Sequence, residues 1–157
     1  MASTEHFHLD ADYHQFYVQD EWAQPSLDDV WSEEATSRML ATEAGWIGVG
    51  TARETTVPVT VVVQDSAPPL DYACDLVVEA SIELPSGRLI VAGCTDYRPK
   101  APRVALKPGT YRLRVAFRFL DTLTTDDLDG DDRYEVTLWP ATELAPVSVM
   151  LDRRRSR

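Results

Sequence analysis

Leu76, Val78, Ala80, Ile82 and Leu84 recur at every second position, separated by Val77, Glu79, Ser81 and Glu83. A period of two puts the first set on one face of a half-buried strand. Pro85-Ser86-Gly87 then carries a turn signal and residues 88–93 return apolar, so 75–94 reads as a β-hairpin. Tyr111, Leu113, Val115, Phe117 and Phe119 alternate in the same way with Arg112, Arg114, Ala116 and Arg118, directly after the turn pair Pro108-Gly109. Residues 57–64 are rich in β-branched side chains, with Pro58 marking an edge or a strand start. Segments 13–19, 46–52, 103–107 and 134–139 complete a set of seven or eight strands, and 147–151 suits one more.

One stretch has a different signature. Residues 32–42 contain no Gly or Pro, Ser32 is placed to cap a helix, and Glu33 and Glu34 suit its positive end. Gly45 stops it. These patterns predict a mainly β fold: an antiparallel β-sandwich of about seven to eight strands with one short helix near residues 32–43. The 157 residues suit a single domain, 1–152, followed by a flexible basic tail, 153–157.

Charge is patterned rather than spread. The net formal charge is −11, and the first 37 residues hold carboxylates but no lysine or arginine. Residues 121–135 hold Asp121, Asp126, Asp127, Asp129, Asp131, Asp132 and Glu135 against one cation, Arg133. Focused negative potential attracts a basic protein and repels nucleic acid, so no direct nucleic-acid contact is expected. No apolar run approaches the length of a membrane span, and the N-terminus has neither a basic nor an apolar signal region. Cytoplasmic residence without membrane insertion is the expectation, with the oligomeric state left open. Free thiols at Cys74 and Cys94 accord with a reducing compartment, although a bridge is possible if their strands pair.

The long loop between the strands at 111–119 and 134–139 is the first candidate for function. Asp126, Asp127, Asp129, Asp131 and Asp132 offer oxygen ligands, yet the register is wrong for an EF-hand. With Gly130 at the sixth position, Val136 would fall where a bidentate Glu is needed. His6, His8 and Asp10 alternate onto one face, but lie in what reads as a mobile polar leader. No cofactor or metal site is therefore expected. No nucleophile elbow, phosphate loop or paired-histidine zinc motif occurs, so no catalytic residue is assigned and the chain is not read as an enzyme. Trp22 and Trp31 flank an acidic turn containing Asp28 and Asp29, and an aromatic beside carboxylates suits a protein interface. Trp31, next to the helix, reads as core; Trp46 and Trp139 read as packing residues on strands; His14 reads as a packed residue within a strand. The partner-binding set is thus Asp126, Asp127, Asp129, Asp131 and Asp132, with Asp28, Asp29 and Trp22.

Tyr13-His14-Gln15-Phe16-Tyr17-Val18, followed by Trp31-Ser32-Glu33-Glu34-Ala35 and Gly45-Trp46-Ile47, resembles the competence protein J family. The likeness continues through Thr55-Thr56, the strand after Pro58 and the turn Lys107-Pro108-Gly109-Thr110-Tyr111. Members are small bacterial proteins that inhibit the competence-associated DNA-entry nuclease. The acidic loop is longer here than in the family pattern. The resemblance implies a stoichiometric nuclease inhibitor or immunity protein, with the acidic surface occluding a basic groove. The alternative is a non-catalytic cytoplasmic β-sandwich module that binds calcium or a basic protein other than a nuclease.

Overall fold

In a computed structural model, which describes residues 2–154, two β-sheets face each other across an apolar core. The first sheet has six strands in the order β1 (Ser3–Asp10), β5 (Thr56–Val63), β10 (Arg133–Pro140), β9 (Gly109–Arg118), β6 (Leu76–Leu84) and β11 (Ser148–Asp152). All its neighbours are antiparallel except β5 and β10. The second sheet has five antiparallel strands in the order β3 (Leu40–Glu43), β4 (Trp46–Gly50), β2 (Gln15–Asp20), β7 (Arg88–Gly93) and β8 (Arg103–Ala105). The alternating residues of β6 and β9 line the core: Leu76, Val78, Ala80, Ile82, Leu84, Tyr111, Leu113, Val115 and Phe117 are buried. Phe119, the last of the expected set, lies beyond β9 and is exposed.

Eleven strands exceed the expected seven or eight because three short or polar segments also pair. The segment read as a mobile leader is β1, hydrogen-bonded along β5 and anchored by the buried Leu9. Its polar face is an exposed outer face, which looks the same in sequence as an unfolded stretch. The helix α1 spans only Glu33–Arg38, with Ser32 Oγ accepting from Ala35 N at 3.1 Å. Met39 takes a left-handed backbone at φ 58° and ends it, which frees Leu40 and Ala41 to be buried in β3. A second difference concerns the hairpin expected over 75–94. β6 and β7 lie in different sheets, and Pro85-Ser86-Gly87 forms an arch between them. Ser86 is held there by Asp20, whose Oδ1 accepts from the backbone N at 3.0 Å and from Oγ at 2.6 Å. Because these strands do not pair, Cys74 and Cys94 are both free thiols, the first buried and the second exposed.

At the C-terminus, part of the expected tail is tied down. Arg153 N donates to Asp75 O at 2.7 Å, and Arg154 pairs with Asp152 at 3.0 Å. Residues 155–157 lie outside those described.

Where β1 leads towards β2, its end lies close against Gly93 of β7. A Cβ on Gly93 would sit 2.1 Å from the Asp10 carbonyl oxygen, a backbone atom that cannot swing away. Gly93→Ala is therefore expected to destabilise the protein by about 1–3 kcal/mol through forced backbone displacement. Urea unfolding should show a lower midpoint at an unchanged slope.

Candidate partner-binding surface

The acidic loop is built from its own side chains upward. Phe119 leaves β9 with a left-handed φ of 57°, and Leu120 N donates to Asp75 Oδ2 at 2.8 Å, fixing the loop's start. Asp126 Oδ1 accepts from Thr124 Oγ1 at 2.6 Å and from Leu128 N at 3.1 Å, closing a tight turn. The Thr124 hydroxyl bond, helped by the Leu128 amide, holds this carboxyl below its ordinary range. Asp129 Oδ1 accepts from Gly130 N at 2.8 Å, and Thr122 Oγ1 accepts from Asp131 N at 2.8 Å. The segment is the long loop expected from the sequence, and its Asp and Thr side chains supply the turn bonds that a strand ladder would otherwise provide.

One aspartate anchors all of this. Asp132 is fully buried, and its Oδ2 accepts from the Tyr134 hydroxyl at 2.6 Å. That hydroxyl also accepts from Ala52 N at 2.8 Å. Arg53 Nε lies 2.7 Å from Asp132 Oδ1, with its N–H off the line to the oxygen, so charge more than a directed hydrogen bond holds the pair. Arg53 reaches outward to Asp129 Oδ1 at 3.3 Å, and Thr55 Oγ1 donates to Leu128 O at 2.8 Å. The loop is thereby clamped to residues 51–55. Below it the Tyr134 ring packs edge-on against Phe16 and Phe117 at centroid separations of 6.0 and 5.8 Å. Burial, and then the bond to Asp132, pushes the Tyr134 hydroxyl far above the ordinary tyrosine range.

The expected partner-binding residues separate into groups. Asp126, Asp127, Asp129 and Asp131 are exposed on the loop. Asp132 is corrected: a carboxylate with no exposed surface, committed to Arg53 and Tyr134, cannot meet a partner and instead positions the loop. Asp28 and Asp29 are exposed on the chain leading to Trp31. Trp22 is 62% exposed but belongs to the far end of β2, where Asp20 Oδ2 accepts from its backbone N. β2 begins at Gln15 beside Gly50, so its six residues put about 20 Å between Trp22 and the loop end. The N-terminal acidic segment is divided as well, with Asp20 buried and Glu21 paired to Arg88 and Arg103.

Sequence reasoning missed the feature beside the loop. Asp12–His14 is a single 3-10 turn, not strand, and both Tyr13 and His14 have left-handed φ, 59° and 57°. Tyr13 is 74% exposed; His14 Nδ1 lies 3.2 Å from Thr51 O, and Nε2 lies 3.8 Å from Glu54. Trp31 is half-buried, packed against the small core cluster of Ala35, Ala41 and Trp46, and donates from Nε1 to Gln15 Oε1 at 3.1 Å. His6, His8 and Asp10 do share the outer face of β1, where His6 meets Thr60 and Asp10 accepts from Thr56. Among the described residues, no group of three or more His, Cys, Asp or Glu converges as metal ligands would. No helix among them is long and apolar enough to cross a membrane.

Fold and surface together define a two-sheet β-sandwich whose loop end carries outward-facing carboxylates on a clamped backbone. No family model matches the sequence, and no curated protein is similar to it in sequence. Solved structures do share the fold. ComJ from Bacillus subtilis, an inhibitor of the DNA-degrading activity of NucA, superposes with a TM-score of 0.70 at 19% identity, over 90% of this chain and 99% of that one. The protein of crocagin biosynthetic gene J superposes with a TM-score of 0.61 at 18% identity, over 89% of this chain and 98% of that one. The fold implied by the Tyr-His-Gln-Phe resemblance is therefore the fold observed.

Two measurements check the anchor. Asp132→Ala leaves the buried Arg53 guanidinium with only the solvent-exposed Asp129 carboxylate as a partner, and should cost about 3–5 kcal/mol, whereas Asp131→Ala should stay within about 0.5 kcal/mol. Chemical denaturation of both variants provides the comparison. For pH, the folded-state Tyr134 value lies above the unfolded one, so its contribution is intact below about pH 10 and is lost as pH rises past that point. Stability should fall above pH 10 less steeply in Tyr134→Phe than in the parent protein.

Proposed function

We propose that this chain is a stoichiometric protein inhibitor of a bacterial DNA-degrading nuclease, and that it binds through the acidic loop end. The observation that carries the reading is the fold shared over nearly the full length with ComJ, an inhibitor of NucA. Charge supports it. A nuclease presents a basic groove for phosphates, and Asp126, Asp127, Asp129 and Asp131 are four exposed carboxylates on one loop able to occupy it. Inhibition by occlusion requires no acid, base or nucleophile from this protein. A standard interface covers about 800 Å² per partner, enough for the loop end without reaching Trp22. Asp28 and Asp29, close in the chain to Trp31, form the outer margin of the contact.

The direct test is a pull-down from host lysate at low and moderate salt, followed by a DNA-degradation assay of whatever nuclease is captured. Loss of activity at one-to-one stoichiometry is the expected result; capture of no nuclease, with nucleases demonstrably present, overturns the reading. Replacing Asp126, Asp127, Asp129 and Asp131 together by Asn should slow association about tenfold at low salt, the gap closing as salt screens the charges. Trp22→Ala should leave the association rate unchanged. Stopped-flow measurement of both variants with the captured nuclease checks this placement.

A further inference from the structure

Between the Tyr13–His14 turn and helix α1 lies a cleft of about 360 Å³, walled by Tyr13, His14, Gln15, Trp31, Thr36 and Met39. Gly50 also lines it, and a Cβ there would come within 3.2 Å of Met39 Cβ. The walls are aromatic and polar, and the rim is acidic. Glu54 approaches His14 Nε2, and Glu33 sits one helical turn before Thr36 on the same side of α1, whereas the Asp12 carboxylate accepts from Thr95 Oγ1. Arg38, at the end of α1, donates from Nε to Leu40 O at 2.8 Å and keeps its positive charge. Arg53 is buried against Asp132.

Backbone strain gathers at this same end. Tyr13, His14, Asp29, Met39, Phe119 and Asp127 are the described non-glycine residues with left-handed φ, and all but Asp29 belong to the cleft or the acidic loop. Such conformations cost about 1–3 kcal/mol each and persist where the surrounding structure holds them, often at binding sites. Tyr13 gains nothing from burial to offset the cost, since most of its surface is in water.

We propose that this cleft receives a cationic side chain, an arginine, from the partner protein, so that the contact surface runs from the acidic loop across Tyr13 and His14 to Trp31. The proposal rests on the inhibitor reading for the identity of the partner, but not for the chemistry of the cleft. A planar guanidinium stacks on the tryptophan and tyrosine rings, while Gln15, Thr36 and Glu54 accept its N–H groups. The aromatic walls exclude water from the pairing, which an open acidic loop cannot do.

The test has two arms. In the first, the isotope-labelled protein is titrated with a blocked Gly-Arg-Gly peptide and with its citrulline and leucine counterparts, following the four indole N–H resonances by NMR. A saturable shift at Trp31, at least several-fold larger than at Trp22 and absent with citrulline and leucine, is the expected result. An equal response to leucine, an equal response to citrulline, or no selective response at Trp31 overturns the proposal. In the second arm, Tyr13→Gly removes the ring while supplying a residue that accepts φ 59° without strain. The melting temperature should hold or rise while affinity for the inhibited nuclease falls about tenfold. A lower melting temperature with unchanged affinity would make Tyr13 merely structural and would overturn the proposal. If the parent protein inhibits no nuclease, the functional reading fails, and the peptide titration still decides the cleft.

Discussion

Everything at the loop end depends on a single buried charge pair. Arg53 and Asp132 are brought together from distant parts of the chain and withdrawn from water. Neither charge can be left alone there without a large desolvation cost, so the loop carrying Asp132 and the segment carrying Arg53 must stay in register. Tyr134 extends that requirement into the core. Its ring packs between Phe16 of one sheet and Phe117 of the other, and its hydroxyl joins Asp132 to Ala52. The sandwich interior and the acidic loop are therefore one construction.

Charges elsewhere serve the fold itself. On the outer face of the first sheet Glu79 lies between Arg112 and Arg114, at 3.3 and 2.9 Å. Arg114 also stacks over Trp139 at 5.2 Å and donates to the carbonyls of Pro68 and Pro69, fastening a long loop across the sheet. Arg118 does the same with Asp71 and Glu135. Arginines are thus used up on the sheet face, whereas at the loop end the exposed carboxylates outnumber available cations. Negative potential collects where the backbone is also most strained.

A surface fixed in this way loses little entropy on binding, because Asp126 and Asp129 are already bonded to their own turn. Most of the acidic carboxylates are still open to a partner, having bonded the loop through only part of their lone pairs. The same fold occurs in ComJ, which inhibits the DNA-degrading activity of a nuclease. At 19% identity the shared property is the arrangement of strands.

Alternation alone determined the strands of the core. Leu76 to Leu84 and Tyr111 to Phe117 bury the faces that their period of two assigns, because that period is a local property of the extended chain. The concentration of carboxylates, the Ser32 cap and the likeness around Tyr13-His14-Gln15-Phe16 were equally legible. Tertiary structure decided what local pattern cannot encode. It sent β6 and β7 to different sheets, because Asp20 holds Ser86 at the arch. It also ended the helix at Arg38, where burying Leu40 and Ala41 in β3 outweighed continuing the turn. Among the aspartates of one loop it chose Asp132 for the interior and left its neighbours in water. Nothing in the loop's own sequence distinguishes them; the distinction comes from Arg53, which only the folded chain brings within reach.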